Sequence, residues 1–179
     1  MMKLIVIRHG ATEAGAKGII LSRIDGRLSE QGMQQAQELA TRLSKEPIDV
    51  IYSSPLKRAV ETARPLAKIL NKPIKKDSRL LEVNMGSFSG ESLDSTVEAF
   101  GLPCIPLMDS YRFDITPFGG ESDKQVKQRV QSFLDEVARG KNKTMAVFTH
   151  DGTLHWFYLL CAGQKVKGQP NASTHVFTL

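Results

Sequence analysis

Residues 3–10 read KLIVIRHG, an apolar run that ends in an arginine, a histidine and a glycine. Within it, residues 3–8 (KLIVIR) form a short, continuous and β-branched run, which is typical of a strand buried on both faces of a parallel sheet. Two later segments have the same character, residues 49–53 (DVIYS) and residues 144–149 (TMAVFT). The sequence therefore predicts three central strands, each followed closely by polar side chains.

Helical patterns separate these strands. Apolar residues recur at spacings of three and four in residues 29–43, where Ser29 is the predicted N-cap, and again in residues 121–139. A helix that opens at a proline is predicted over residues 55–70, and an almost wholly apolar helix over residues 153–162. Strands that alternate with helices indicate an α/β fold.

The predicted architecture is a three-layer sandwich, with a mostly parallel central sheet and helices on both faces. Residues 175–179 alternate in polarity and are predicted to form a final edge strand. Residues 83–120 are rich in Gly, Ser and Pro and are interpreted as a small cap-like insertion. We therefore assign residues 1–179 to a single domain.

The composition is that of a globular protein, with 41% hydrophobic and 24% charged residues among 179. Its basic residues are scattered and do not interleave with aromatic residues along one stripe, which argues against a nucleic-acid partner. No apolar stretch approaches the roughly 20 residues that a bilayer span needs, so no membrane partner is predicted. The formal net charge of +5 suits a small anionic substrate.

Two observations bear on the cellular compartment. The apolar run at residues 4–7 is too short for the core of a secretory signal. Cys104 and Cys161 belong to no CxxC pattern, so neither a metal knuckle nor a redox pair is indicated. We expect a reduced, cytoplasmic setting.

Residues able to do chemistry follow each predicted central strand. Arg8 and His9 end the first strand, Arg58 lies shortly after the second, and His150 ends the third. Ligands of open α/β sheets bind beyond the carboxyl ends of the strands, where these side chains would meet. Neutral imidazole is a nucleophile towards phosphorus, and guanidinium groups match phosphate oxygens in pairs.

Phosphoryl transfer from an ester also needs an acid for the leaving oxygen. Glu82, which follows a strand-like segment at residues 78–81, is the candidate. Metal ligands are not indicated, because His150 and His155 lie about 140° apart around a helix. The sequence has no HExxH motif, no GxxxxGK[ST] loop and no GxGxxG after a strand. We therefore expect no metal ion and no cofactor.

Several motifs occur in a fixed order along nearly the whole chain. They are residues 8–12 (RHGAT), 25–36 (DGRLSEQGMQQA), 53–63 (SSPLKRAVETA), 81–90 (LEVNMGSFSG), 118–122 (FGGES) and 149–152 (THDG). This ordered set resembles the histidine phosphatase superfamily, the group that includes the cofactor-dependent phosphoglycerate mutases. RHG alone would be a weak signal, whereas the complete series is specific.

The resemblance implies a role for each matching residue. His9 would be the nucleophile that accepts the phosphoryl group. Arg8, Arg58 and His150 would bind its equatorial oxygens. Glu82 would protonate the leaving group and then activate water to hydrolyse the phosphohistidine. Because the arginines supply the positive charge, no metal is required.

Thr12 and Asp151 are further expected substrate-binding residues. The chain departs from the family pattern at Gly15, where an asparagine is common, and at Ser89, where a carboxylate is common. Asp151 resembles the proton-donating aspartate of the acid-phosphatase branch and is therefore an alternative to Glu82. We prefer Glu82, because Asp151 lies where a helix begins and is expected to cap it.

The leading functional prediction is a phosphatase of a small-molecule phosphomonoester that works through a phosphohistidine. A phosphoglycerate mutase is an alternative, although residues 83–86 lack the basic side chains that a mutase would want there. A protein phosphohistidine phosphatase is another, although such members nearly lack an insertion. A non-catalytic phosphate-binding module is the third alternative.

Two features are left open by the sequence. The apolar residues of the insertion could pack on the sheet or line the mouth of the site; they are Leu102, Ile105, Leu107, Met108, Tyr111, Phe113 and Phe118. The final edge strand could pair across a homodimer.

Overall fold

The computed structural model describes residues 1–100, 115–166 and 168–179. At its centre lies a five-stranded sheet with the strand order β3-β2-β4-β1-β5. Strand β5 runs antiparallel to β1, and the other neighbouring pairs are parallel. The strands are β1 (Lys3–Arg8), β2 (Val50–Ser53), β3 (Ile74–Lys76), β4 (Thr144–Thr149) and β5 (Thr174–Thr178).

The register of the two central strands determines where the site forms. β1 and β4 are paired from Lys3 with Thr144 to Arg8 with Thr149. The ladder continues one residue further, because the His9 N–H donates to the Thr149 carbonyl oxygen at 3.0 Å. The residue after each strand is a histidine, so the register brings two histidines to the same point of the carboxyl edge.

Helices cover both faces of the sheet. On one face, α2 and α3 pack against the alternate side chains Ile5 and Ile7 of β1. On the other face, α5 and α6 pack against Leu4 and Val6. The helices are α1 (Glu13–Ala16), α2 (Glu30–Leu43), α3 (Lys57–Leu70), α4 (Leu93–Phe100), α5 (Asp123–Ala138) and α6 (Asp151–Ala162). Among the described helices, none combines the length and apolar character that crossing a membrane requires.

The predicted α/β sandwich with a mostly parallel sheet is confirmed. β1 and β4 have the predicted bounds, and β2 and β5 differ by one residue. Ser29 caps α2 as predicted, since its Oγ accepts from the Gly32 N–H at 3.1 Å. β5 forms an edge of the sheet, and its pairing across a homodimer stays a prediction.

Helix boundaries differ from the predictions by up to two residues. α3 begins at Lys57 rather than residue 55. α5 begins at Asp123, because Ser122 and Gln125 form a capping box at its start. α6 begins at Asp151, two residues earlier than predicted, and His150 occupies its N-cap.

The predicted strand-like character of residues 78–81 is wrong. Ser78–Leu80 is a 3₁₀ turn, and the strand β3 immediately precedes it. The Asp77 carboxylate accepts from the Arg79 N–H at 2.9 Å, which ends the strand and starts the turn. Glu82 therefore follows a turn at the sheet edge rather than a strand.

The insertion contains helix α4 and two 3₁₀ turns, Gly86–Phe88 and Thr116–Phe118. Phe118 packs on the buried Phe88 with ring centroids 5.0 Å apart, so this apolar residue of the insertion packs internally. The other six apolar residues singled out in the insertion lie outside the described residues; they are Leu102, Ile105, Leu107, Met108, Tyr111 and Phe113.

Candidate active site

A cavity of about 580 Å³ opens beyond the carboxyl edge of the sheet. Arg8 and His9 reach it from the end of β1, and Arg58 reaches it from the first turn of α3. Glu82, Thr12 and Asp151 also line it. The structure thus brings six of the seven predicted site residues to one cavity, and His150 lies directly behind its wall.

His9 is held in one protonation form and one orientation. Its Nδ1 lies 2.7 Å from the Gly10 carbonyl oxygen, which can only accept, so Nδ1 carries the proton. Burial, with repulsion from Arg58 and Arg8, lowers the pKa of His9 to about 3, although the Gly10 hydrogen bond opposes this shift. The imidazole is therefore neutral near pH 7, with a lone pair on Nε2.

Arg58 is a buried cation fixed by backbone carbonyls. Its Nη1 and Nη2 donate to the carbonyl oxygens of Ile24 at 2.9 Å and Ser22 at 2.6 Å. Its Nε lies 3.3 Å from His9 Nε2. Burial lowers the pKa of Arg58, yet arginine stays protonated in proteins. Ser22 adopts a left-handed φ of 50°, uncommon for a residue with a side chain, and presents its carbonyl to Arg58.

Arg8 is the second cation of the site. Its Nη1 donates to the Gln169 carbonyl oxygen and lies 3.6 Å from Asp151 Oδ1. Asp151 Oδ1 also accepts from the Gln169 N–H at 2.9 Å. The expectation that Asp151 caps its helix is wrong: the N-cap is His150, and the Asp151 carboxylate instead holds the loop at Gln169 against Arg8.

His150 is fully buried beside His9, with ring centroids 5.1 Å apart. Its Nε2 lies 2.8 Å from Ser54 Oγ. Burial, with nearby positive charge led by Arg58, lowers the pKa of His150 well below its ordinary value. His150 is therefore neutral and packs beneath the nucleophile candidate; its binding of a phosphate oxygen stays a prediction.

Two buried polar atoms mark this region as a binding site. Among the buried side-chain nitrogen and oxygen atoms of residues 1–100, 115–166 and 168–179, two nitrogens have no hydrogen-bond partner. They are Arg8 Nε and His150 Nδ1. Buried polar groups are nearly always paired, so unpaired ones need an explanation. Arg8 lines the same cavity as His9, and the His150 ring lies 5.1 Å from the His9 ring, so the oxygens of an anion bound at His9 could satisfy both atoms.

Glu82 is the carboxylic acid candidate of the cavity. Burial raises its pKa and outweighs the opposing effects of the Val83 N–H, which donates to Oε1 at 2.9 Å, and of Arg58. The negative charge of Asp151 adds to the rise. A Cβ at Gly152 would lie 2.8 Å from Glu82 Oε1, so the glycine of the THDG motif leaves room for this carboxyl group.

Thr12 lies at the cavity wall and caps the short helix α1. Its Oγ1 accepts from the Gly15 N–H at 3.0 Å. A Cβ at Gly15 would approach the same Oγ1 to 2.9 Å. The glycine that departs from the family pattern is therefore matched to this close Thr12 contact.

The rest of the cavity wall is of mixed character. Its larger apolar residues are Ile19, Ile20, Leu21, Val83, Met85, Ile115, Val126 and Trp156. Its further polar residues include Ser29, Gln31, Glu121, Asp123 and Asn171, so the space for the rest of a ligand is bounded by both apolar and acidic side chains.

Three further residues hold the site residues in place and were not predicted from the sequence. Thr62 Oγ1 accepts from the Gly10 N–H at 3.0 Å and donates to the Arg58 carbonyl oxygen at 2.7 Å, which links His9 to α3. Ser54 pairs with His150, and Ser22 supports Arg58. Ser54 and Thr62 lie within the matched motifs, which was the available signal; Ser22 had none.

A metal site is not formed by the described parts of the chain. No group of three His, Cys, Asp or Glu side chains lies close enough together there to hold an ion. The two guanidinium groups of Arg8 and Arg58 are the positive charges that line the described cavity wall.

Comparison with characterised proteins identifies relatives along most of the chain. The chain is 37% identical over 169 residues to phosphoserine phosphatase 1 of Hydrogenobacter thermophilus, and the match covers 91% of this chain and 77% of that protein. It is 34% identical over 185 residues to the metal-independent phosphoserine phosphatase of Arabidopsis thaliana, covering 99% and 76%.

Solved structures share the fold. A mycobacterial glucosyl-3-phosphoglycerate phosphatase in complex with VO3 superposes with a TM-score of 0.91 at 24% identity, covering 98% of this chain and 92% of that chain. The sequence model of the histidine phosphatase superfamily (branch 1) matches residues 4–178. The strand-end histidines, the two arginines beside them and this match along the whole sheet agree: the chain belongs to the histidine phosphatase superfamily.

Proposed function

We propose that this phosphomonoester hydrolase acts on a small-molecule substrate through a phosphohistidine at His9 Nε2. The observation that supports the proposal most strongly is the protonation state and orientation of His9. Its Nδ1 proton is committed to Gly10, its pKa is about 3, and its Nε2 faces the Arg58 guanidinium. A neutral nucleophile beside fixed cations is the arrangement that phosphoryl transfer needs.

In the first step, the Nε2 lone pair attacks phosphorus and the bond to the ester oxygen breaks. Arg8 and Arg58 stabilise the charge on the transferring oxygens without reorganising, because Asp151 and backbone carbonyls already hold them. Glu82, which burial keeps protonated more readily than an ordinary glutamate, gives its proton to the leaving oxygen.

In the second step, the Glu82 carboxylate takes a proton from water as the water oxygen attacks the phosphohistidine. The P–N bond breaks and inorganic phosphate leaves. His9 returns to its neutral form, and Glu82 is again protonated. Each turnover consumes one water molecule, and the chain's own residues transfer the protons and stabilise the charge.

Two features support a phosphatase over a phosphoglycerate mutase. The described cavity wall offers Arg8 and Arg58 as its basic side chains, and the proposal commits both to the phosphoryl group. Residues 83–86 carry no basic side chain for a substrate carboxylate. The relatives named as phosphoserine phosphatases make phosphoserine the first substrate to test.

The proposed function predicts hydrolysis of p-nitrophenyl phosphate and retention of that activity in excess EDTA. The reason is that arginine charges take the place of a metal ion in the mechanism. Release of nitrophenol and of inorganic phosphate, measured in parallel, should be equal. Loss of activity on chelation that a single metal ion restores would contradict the metal-free mechanism.

Truncation of Arg58 is expected to act on the transition state. Arg58→Ala should lower kcat by roughly 10²–10³-fold, the usual loss when one preorganised charge donor is removed. Arg64→Ala, a change at an exposed arginine on the same helix, is the matched control and should leave kcat unchanged. An Arg58→Ala enzyme altered in KM alone would place this guanidinium outside the reacting centre.

A further inference from the structure

The segment that carries Glu82 has an uncommon backbone environment. We define this segment as residues 79–84. Residues 81–84 belong to no helix or strand, yet every backbone carbonyl of the segment accepts a hydrogen bond from a residue outside it. The donors, in the order of the carbonyls, are Arg129 Nη1 (2.6 Å), Thr149 Oγ1 (2.9 Å), Thr153 Oγ1 (2.6 Å), Arg23 Nε (3.1 Å), Ser22 Oγ (3.0 Å) and Glu121 N (2.9 Å).

These donors come from separate parts of the fold. Thr149 ends β4, Thr153 lies in α6, Arg129 lies in α5, and Arg23 lies in the loop whose carbonyls hold Arg58. A segment outside the sheet must pair its carbonyls in some way. Five of the six carbonyls are paired with side chains and the sixth with the backbone N–H of Glu121, and these contacts fix the position of Glu82 relative to His9 and Arg58.

Glu121 connects the two arginines among these donors. Its Oε1 lies 2.8 Å from Arg23 Nη2 and 3.1 Å from Arg129 Nε, and its Oε2 lies 3.3 Å from Arg129 Nη2. Oε2 also accepts from the Asn84 N–H at 3.0 Å, and the Glu121 N–H donates to the Asn84 carbonyl oxygen. Glu121 thus contacts the segment directly and through both cations.

We propose that Glu121, through Arg23 and Arg129, is a positioning residue that sets where Glu82 delivers its proton. The inference rests on the proposed function, in which Glu82 is the general acid. Arg23 holds the carbonyl of Glu82 itself, and Glu121 fixes the direction of the Arg23 guanidinium. With the Glu121 charge removed, Arg23 loses its ion-pair partner, and the guanidinium that bonds the Glu82 carbonyl is held less firmly.

The test is the leaving-group dependence of Glu121→Gln, a change that keeps the side-chain shape and removes the charge. Its kcat on an alkyl phosphate should fall roughly 10–100-fold, because even a 1 Å misplacement of a catalytic group is costly. Its kcat on p-nitrophenyl phosphate, whose leaving group needs no proton, should fall less than about 3-fold. In a Glu82→Gln background, Glu121→Gln should cause no further change in the ratio of kcat on the alkyl phosphate to kcat on p-nitrophenyl phosphate.

Glu46→Gln is the matched control, since Glu46 pairs with Lys3 far from the cavity, and its ratio should equal that of the wild type. If Glu121→Gln does not fold, Arg23→Lys serves instead, because lysine keeps the charge but replaces the separate Nε and Nη2 donors of arginine with a single nitrogen. Equal losses on both substrates, or additive losses in the Glu82→Gln background, would overturn the positioning role. If the loss in Glu82→Gln itself does not depend on the leaving group, the assignment of Glu82 as the general acid is overturned, and the positioning role of Glu121 with it.

Discussion

Replacing His9 with alanine is expected to reduce turnover by roughly 10⁴-fold or more, because the side chain forms the covalent bond to phosphorus. Other groups cannot substitute for it. The second histidine of the site, His150, is fully buried and is not among the residues that line the cavity, so His9 is the imidazole that a substrate can reach. The kcat of His9→Ala on p-nitrophenyl phosphate gives the magnitude.

The covalent intermediate can be measured directly. Enzyme mixed with ³²P-labelled substrate and quenched in alkali should retain a label that is stable in base and lost in acid, as a phosphoramidate is. His175→Ala is a matched control, because His175 lies in β5 and bonds Tyr158 and Ser173 outside the cavity. Label on His175→Ala and none on His9→Ala is the expected pattern; label retained by His9→Ala would refute the assignment.

The elements of the fold that could be predicted have a strong hydrophobic pattern in their own sequence. β1 and β4 lie at the centre of a parallel sheet, so both faces are buried and the apolar run is continuous. β3 was missed because it is a three-residue edge strand, IKK, with two exposed lysines. α4 was missed because its sequence lies in a segment rich in turn residues, where local composition favours loops.

Some residues of the candidate site could likewise be predicted from the sequence, and others could not. His9, Arg58 and His150 could be placed together because the carboxyl ends of parallel strands meet at one edge. Arg23 and Arg129 could not, since each works by donating to a backbone carbonyl, and a carbonyl has no sequence signature. The capping role expected of Asp151 is wrong because Asp151 is already the first residue of the helix, which leaves His150 as the N-cap.

The identity of the proton donor is the second large expected effect, because two carboxyl groups lie at the cavity. Glu82 has a pKa raised by burial, which outweighs the opposing effect of the Val83 N–H that donates to its Oε1. Asp151 lies 3.6 Å from Arg8 and accepts from the Gln169 N–H, contacts in which a carboxylate serves as an acceptor. The first environment suits an acid, and the second suits an anion that holds Arg8 in place.

Glu82→Gln should therefore lower kcat on an alkyl phosphate by roughly 10²–10⁴-fold, the usual contribution of a general acid. The loss on p-nitrophenyl phosphate should be much smaller, because that leaving group departs without a proton. Asp151→Asn keeps an acceptor for Gln169 and loses the charge opposite Arg8, so it should slow both substrates by a similar factor. A series of aryl and alkyl phosphates measured with both variants separates the roles. A steep dependence on leaving-group pKa in Asp151→Asn, together with a flat one in Glu82→Gln, would assign the proton to Asp151 instead.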